Sequence, residues 1–234
     1  MNRKILFASN NRKKFDELEK DFAEVGLQLI FKDDVIGSEN KLDLPETSAT
    51  SLNENAITKA VSAAKQTNML ALGDDSGVFI EELDFCPGVF SRRWLQQLTD
   101  GTEVPEGAEG DLIRDAEILK KLEGVPMERR LAHLISRFAL ATPDGKILCK
   151  TFSKNTFYIA NEIKTGGSSA FGYDPILIKK PNETDGIEQY KIECKYLGDG
   201  TTIGCLSQEE KNFINNRGGQ IRDDIKKALE KIDI

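Results

Sequence analysis

The chain has 234 residues, of which 39% are hydrophobic and 30% are charged, and its formal net charge is −7. This composition is typical of a globular protein with a core of ordinary size, and the negative charge disfavours non-specific binding to nucleic acid or to an anionic membrane. No apolar run approaches the roughly 20 residues that a membrane-spanning helix needs. The four cysteines lack the C-x-x-C spacing of a zinc site, so we expect reduced thiols and a cytoplasmic protein.

The N-terminal part of the chain predicts a β-α-β unit. Lys4–Ala8 is a short apolar run typical of a buried strand, and a second such run follows at 27–31. Between them, apolar residues recur at helical spacing from Phe15 to Val25, and Gly26 ends the helix. This order of elements indicates an α/β protein.

The next segment predicts a helix and then two strands. Ser51 and Glu54 have the spacing of a helix capping box, which predicts a helix through Thr67. The apolar runs 70–72 and 78–80 flank Asp-Asp-Ser-Gly, a sequence that favours a turn.

The rest of the chain predicts three helices and a long hairpin. Helices are predicted at 91–98, 111–124 and 221–232, and an exposed loop at 101–110. Pro143-Asp144-Gly145 lies between two apolar arms and predicts the hairpin, although the apolar spacing from 131 to 138 also fits a helix. Residues 182–198 lack clear periodicity, and we expect a surface insertion there.

Polar residues with donor groups follow the first predicted strand. Ser9, Asn10, Asn11 and Lys14 open the first helix and combine hydroxyl, amide and ammonium donors with the free backbone N–H groups of a helix N-terminus. Such a set suits a phosphate group. A simple helix cap with a solvated basic turn is the alternative interpretation.

Two adjacent carboxylates, Asp74 and Asp75, end an apolar run. Mg²⁺ takes carboxylate oxygens together with waters and substrate phosphates, and a carboxylate can also accept a proton from an attacking water. Glu46 could supply a second acidic ligand. The alternative is that the pair only forms a turn.

Two further clusters lie near the C-terminus. In SSAFGYDP, Gly172 permits a close backbone approach, and Phe171 or Tyr173 could stack on a nucleobase or pack into the core. In LSQEEKNFINNRGG, Ser207 begins a helix, and the segment either binds a base or phosphate or merely connects two helices. The donors in that segment are Lys211, Asn215, Asn216 and Arg217. Taken together, the four clusters predict a Mg²⁺-dependent reaction on a nucleoside polyphosphate.

In this order, the clusters resemble motifs of the inosine/xanthosine triphosphate pyrophosphatase family, which converts non-standard purine nucleoside triphosphates to monophosphates and pyrophosphate. ILFASNNRKKFDEL resembles the family's phosphate loop, LPET its glutamate-bearing loop, and LGDDSGVFIEELDFCPGVFSRRW its most specific segment. FGYDPILI matches outright, and LSQEEKNFINNRG is similar to the closing motif. The likeness covers nearly the whole chain. It implies one domain over 1–234, an elongated central mixed β-sheet with flanking helices that form two lobes around an active-site cleft, and a homodimer.

The resemblance also implies a role for each motif residue. Glu46 and Asp75 would bind Mg²⁺ or Mn²⁺, and Asp75 would be the base for the attacking water. Asp74, Lys14 and Lys59 would complete the catalytic set. The residues implied to contact the nucleoside triphosphate are Ser9, Asn10, Asn11, Lys14, Ser76, Phe171, Gly172, Tyr173, Asp174, Lys211, Asn216 and Arg217.

The chain departs from the family pattern at three places. Asn215-Asn216 stand where the family has Ser-His, Ala170 stands where a glycine is usual, and 182–198 looks inserted. Asn216 can donate a hydrogen bond but does not become protonated, which leaves the preference for hypoxanthine and xanthine over adenine open. The alternatives are a broader-specificity or dTTP/UTP-type pyrophosphatase and a non-catalytic nucleotide-binding module.

Overall fold

A computed structural model of the chain describes residues 3–48, 50–90, 94–98, 105, 107–167 and 170–232. The strands in these ranges are β1 Arg3–Ala8, β2 Leu27–Ile30, β3 Ala71–Ile80, β4 Pro87–Gly88, β5 Leu131–Ala141, β6 Ile147–Ile159 and β7 Leu177–Lys179. The helices are α1 Arg12–Asp16, α2 Glu19–Glu24, α3 Asp33–Ile36, α4 Leu52–Thr67, α5 Trp94–Leu98, α6 Ala108–Lys121, α7 Ile187–Asp199, α8 Gln208–Asn215 and α9 Arg217–Glu230.

The strands form a mixed sheet in the order β2-β1-β3-β5-β6-β7, with β4 paired to β3. Strand β1 runs parallel to both β2 and β3, whereas β4 is antiparallel to β3 and β7 is antiparallel to β6. The predicted α/β class, with a mixed central sheet and flanking helices, is confirmed. In the described ranges, every helix is too short or too polar to cross a membrane.

The contacts divide the chain into two compact units. Unit 1 comprises Met1–Ser76, Ile135–Lys154 and Asn216–Ile234, and unit 2 comprises Gly77–Leu134 and Asn155–Asn215. Each unit has its own apolar core, so each is described separately below.

The core of unit 1 follows from the alternation of side chains along β1. Ile5 and Phe7 join an apolar cluster with α2 and α9, whereas Leu6 and Ala8 join a second cluster with α4. The second cluster is rich in alanine, which lets α4 lie close to the strands. The core of unit 2 joins β3 residues such as Val78 to apolar residues of α6, β6, β7 and α8.

The predicted Asp-Asp-Ser-Gly turn is wrong, because these residues lie inside strand β3. The glycines on either side of Asp74-Asp75-Ser76 serve close packing instead. A Cβ added to Gly73 would lie 2.2 Å from the carbonyl oxygen of Ala56 on α4, and one added to Gly77 would lie 2.3 Å from that of Gly88. Glycine in a strand therefore marks close approach of a second backbone here, rather than a change of chain direction.

The hairpin predicted around Pro143-Asp144-Gly145 is confirmed as β5 and β6, which settles the strand-or-helix ambiguity at 131–138 in favour of a strand. The N–H of Gly145 donates to the carbonyl oxygen of Thr142 at 2.9 Å. Gly145 has φ +88°, a conformation that glycine adopts without a steric penalty.

Several helix boundaries differ from the prediction. The first predicted helix is split into α1 and α2, and α3 lies in a segment where the sequence predicts no element. Helix α6 begins at Ala108, inside the predicted loop, and α9 begins at Arg217 rather than at 221. The first three residues of the helix predicted at 91–98 and half of the loop at 101–110 lie outside the described residues.

The segment 182–198, which showed no periodicity, is mostly helical and contains all but the last residue of α7. Glu193 of this helix is fully buried and accepts hydrogen bonds from the backbone N–H of Asn182 at 2.9 Å and from Nε2 of Gln189 at 2.8 Å. The buried, hydrogen-bonded side chain of Glu193 takes the place of a stripe of apolar residues on this helix. The apolar periodicity of the sequence therefore did not predict the helix. Whether the segment is an insertion stays a prediction.

Candidate active site

In unit 1, Asp74 and Asp75 project to opposite sides of β3, and each meets its own lysine. Nζ of Lys14 lies 2.7 Å from Oδ2 of Asp74, and Nζ of Lys59 lies 2.7 Å from Oδ1 of Asp75. Adjacent strand residues point in opposite directions, so the neighbouring carboxylates have separate partners. Both aspartates are buried, and a buried carboxylate needs such a partner.

Helix α4 organises the surroundings of Asp75. The side chain of Ser51 caps this helix by accepting from the N–H of Glu54, as predicted. Asn55 and Lys59 lie one helical turn apart, and Nδ2 of Asn55 donates to Oδ2 of Asp75 at 3.0 Å. Lys59 also donates to Oε1 of Glu46 at 2.8 Å, so its ammonium group bridges the two carboxylates.

The two aspartates differ in their acidity. Burial alone would raise the pKa of Asp74, but Lys14, Lys59 and Arg217 outweigh it and hold that pKa below its ordinary value. Burial raises the pKa of Asp75, although Lys59 and Asn55 both favour the carboxylate. Asp74 is therefore the more acidic carboxylate of the pair, and Asp75 is the more basic one.

Ser76 and Arg217 belong to a buried hydrogen-bond network in unit 1. Arg217 donates to Oγ of Ser76 at 3.1 Å and to Oγ of Ser136 at 2.9 Å, and it pairs with Glu17 at 2.8 Å. The hydroxyl of Ser76 also donates to Oδ2 of Asp74 at 3.3 Å. Arg217 thus adds positive charge near the carboxylate of Asp74.

Asn216 is the N-cap of α9. It adopts a left-handed conformation with φ +30°, and its Oδ1 accepts from the N–H of Gly219 at 3.0 Å. Asparagine tolerates this conformation better than most residues, which gives Asn216 a structural role as a helix cap. Its predicted contact with the substrate stays a prediction.

The predicted phosphate loop is held mainly by its own side chains. Oδ1 of Asn11 accepts from the N–H groups of Lys13 and Lys14 at 3.0 and 3.4 Å, and Oγ of Ser9 accepts from the N–H of Asn11 at 3.1 Å. Asn10 exchanges two hydrogen bonds with the backbone of Leu42. These contacts fix the direction of the chain into α1 and so position Lys14 beside Asp74.

In unit 2, the loop 170–174 carries the predicted aromatic residues. The N–H of Phe171 donates to Oδ2 of Asp174 at 3.0 Å, and the same oxygen pairs with Nζ of Lys211 at 2.7 Å. Nζ of Lys211 also lies 4.1 Å from the ring centroid of Phe171. Asp174 and Lys211 therefore both hold Phe171 in place.

Three residues of helix α6, which the sequence analysis did not single out, lie beside this loop: Asp111, Arg114 and Asp115. Oδ2 of Asp111 accepts from the N–H of Gly172 at 3.1 Å, and Arg114 lies over the ring of Tyr173 with its Cζ 3.6 Å from the centroid. Arg114 pairs with Asp111 at 2.7 Å and with Asp115 at 2.9 Å.

Asp115→Asn is expected to change the pH dependence of stability. Burial raises the pKa of Asp115 to about 7 from an ordinary value of 3.8. Between these values the folded protein keeps a proton that the unfolded chain releases, so this group's contribution is full below 3.8 and is lost as the pH rises through 7. The loss is about 1 kcal/mol per pH unit.

Urea unfolding of both proteins at several pH values from about 4 to about 7 measures this effect. The free energy of unfolding of the wild type should fall relative to that of the variant as the pH rises. A difference that stays constant over this range would contradict the assignment.

Some of the missed residues had a sequence signal and others had none. Asn55 lies four residues before Lys59 on a helix that was predicted, so helical spacing alone places both on one face. Ser136 and Glu17 meet Arg217 from segments distant in sequence, 81 and 200 residues away. No local pattern marks Arg114 as a partner of Tyr173.

A cavity of about 480 Å³ lies elsewhere in unit 1. Its lining includes Lys4, Arg12, Phe15 and Met69 but neither aspartate of β3. Positive and negative side chains both line it, and Arg12 is already paired with Asp16 at 2.8 Å. The cavity therefore does not indicate a particular ligand.

Comparisons with known proteins agree with the motifs. The sequence model of the Ham1 family matches residues 5–223. The dITP/XTP pyrophosphatase of Corynebacterium glutamicum strain R is 33% identical over 232 residues, which cover 97% of each chain. A protein of the same name from Frankia alni is 33% identical over 220 residues, which cover 94% of each chain.

Solved structures show the same relationship. A HAM1 protein from Coxiella burnetii superposes with a TM-score of 0.66 at 27% identity, covering 98% of this chain and 100% of that one. A dITP/XTP pyrophosphatase from Mycobacterium abscessus gives a TM-score of 0.59 at 29% identity, with 98% of each chain covered. With its motifs, its fold and nearly its whole length in common with these proteins, the chain belongs to the Ham1 family.

Proposed function

We propose that the protein hydrolyses non-standard purine nucleoside triphosphates, namely ITP, dITP and XTP, to the monophosphate and pyrophosphate, and so cleanses the nucleotide pool. The observation that carries this proposal is the arrangement on β3, where two buried aspartates with opposite pKa shifts each contact a lysine. Membership of a family whose relatives are named dITP/XTP pyrophosphatases supports the choice of substrate.

The residues around Asp75 fit a divalent cation. Asp75 and Glu46 both contact the ammonium group of Lys59, so their oxygens converge on one positive charge. No cluster of three or more His, Cys, Asp or Glu side chains suited to a metal ion occurs in the described part of the chain. Mg²⁺ suits two carboxylates, because it takes its other ligands from water and substrate phosphates.

We therefore propose Asp75 and Glu46 as the ligands of Mg²⁺, with Mn²⁺ as an alternative ion. A bound Mg²⁺ neutralises charge that develops on the phosphate oxygens during the reaction.

The protein's own residues supply proton transfer and positive charge. Oδ1 or Oδ2 of Asp75 accepts the proton of the attacking water. Lys14 and Lys59 neutralise the triphosphate, and Asp74 orients Lys14 through their 2.7 Å ion pair. In unit 2, Phe171 is proposed to stack on the base, with Tyr173 and Asp174 beside it.

Purified protein incubated with Mg²⁺ and each of ITP, dITP, XTP, ATP, GTP and UTP tests the proposal. Separate assays for pyrophosphate and for orthophosphate identify which phosphoanhydride bond is cleaved. We expect pyrophosphate and monophosphate, with the highest kcat/KM for ITP, dITP or XTP. A preference for UTP would support the pyrimidine alternative, and no turnover of any triphosphate would support a non-catalytic nucleotide-binding module.

We further propose that the protein is a cytoplasmic homodimer. Its family membership supports this assignment. Size-exclusion chromatography with light scattering measures the oligomeric state directly.

A further inference from the structure

The aromatic loop 170–174 of unit 2 is held by two ion-pair systems. On one side, Lys211 and Asp174 hold Phe171. On the other side, Arg114 lies over Tyr173, with its Cζ 3.6 Å from the ring centroid. Guanidinium groups stack well on aromatic rings because they are planar and weakly hydrated.

Two aspartates on α6 fix Arg114 in that position. Asp111 accepts from Nη1 of Arg114 with Oδ1, and its Oδ2 accepts from the N–H of Gly172. Asp115 accepts from Nη2. Asp111 therefore connects the arginine to the loop backbone, and the stacked ring connects it to the loop side chain.

The arrangement is costly as a purely structural device. Arg114 and Asp115 are buried, and Nε of Arg114 and Oδ2 of Asp115 have no hydrogen-bond partner among the described residues. Well-packed apolar residues generally stabilise a protein at least as well as a buried ion pair does. Gly172 has φ +60°, and no atom lies within 4 Å of the position a Cβ would take, so no side chain packs against this one point of the loop.

We propose that Arg114 is a positioning residue that holds Tyr173 and the loop backbone in the conformation that binds the base. It acts through Tyr173 and Gly172 and does not itself touch the reacting atoms. This inference rests on the proposed function, because it assumes that the loop binds the base of a nucleoside triphosphate.

Arg114→Lys separates stacking from charge, because it keeps a cation for Asp111 and Asp115 but removes the planar group over Tyr173. We expect the KM for ITP to rise about tenfold while kcat stays within about twofold, and the ratio of kcat/KM for ITP to that for ATP to fall. Arg129→Gln is the matched control, since Arg129 is an exposed arginine of the same unit paired with Glu82 at 2.6 Å. The control should leave all three values unchanged.

Hydrogen exchange of the ligand-free protein provides a second readout that needs no activity. Peptides covering 170–174 should exchange about tenfold faster in Arg114→Lys than in the wild type or in Arg129→Gln, while peptides from β6 should not change. Asp111→Asn is a second variant for the same measurement if Arg114→Lys does not fold.

Unchanged exchange at 170–174 would overturn the positioning role, and an unchanged KM for ITP would overturn its effect on base binding. If the wild type turns over no triphosphate, the proposed function fails. The exchange measurement then still decides whether Arg114 positions the loop.

Discussion

Asp75→Asn is expected to lower the turnover of ITP by about 10³-fold, because it removes the group proposed to accept the proton from water. It also removes one of the two carboxylates proposed to bind Mg²⁺. The new amide would place its NH₂ group against either Lys59 or Asn55, and both of these are donors to Asp75 in the wild type. Asn55 cannot turn to relieve the conflict, since both ends of its amide are bonded to the backbone of Ser48. We expect a loss of about 2 kcal/mol of stability but a folded protein.

Steady-state kinetics with ITP and Mg²⁺, together with circular dichroism, measure the two effects separately. Asp43→Asn serves as the control, because Asp43 is an exposed aspartate of the same unit. It should retain wild-type activity. Turnover by a folded Asp75→Asn protein within about tenfold of the wild type would remove Asp75 from the mechanism.

The organisation of the fold follows from the sequence where local patterns and packing agree. Apolar runs predict β1 and β2, because these strands bury apolar side chains. Helical spacing predicts α4, because this helix buries one continuous face. Gly77 was misread as part of a turn, since the close contact that requires it involves Gly88 on another strand. A glycine's local sequence does not reveal which backbone approaches it.

The residues of the candidate site likewise divide into those that the sequence identifies and those that it misses. Motif resemblance identifies Lys14, Asp74, Lys59 and Asp75, and the structure pairs them although Lys14 and Asp74 are 60 residues apart. Resemblance does not distinguish residues that hold the backbone from residues that meet a ligand. Asn11 and Asn216 both cap helices. Arg114 was missed because its partner, Tyr173, lies on a separate segment of unit 2.

Lys59 occupies the position between two carboxylates that we propose for a metal ion, which makes its replacement informative. Lys59→Met leaves Asp75 buried without its ammonium partner, and loss of one member of a buried ion pair costs about 3 kcal/mol. Turnover should fall by about 100-fold or more, because a positive charge beside the phosphate chain is also lost. Lys65→Met is the control, since Lys65 lies on the exposed face of the same helix.

Mg²⁺ should partly restore the stability that Lys59→Met loses. Without the ammonium group, Asp75 and Glu46 attract a divalent cation more strongly, and a ligand that binds only the folded state raises Tm. Because loss of Lys59 raises the pKa of Asp75 further, the comparison is made at about pH 8, since a higher pH favours the ionised carboxylate. Saturating Mg²⁺ should raise the Tm of Lys59→Met by at least about 3 °C more than that of the wild type or of Lys65→Met. Equal shifts in the three proteins would mean that Asp75 and Glu46 do not share a metal ion, and the charge that Lys59 balances would then be structural.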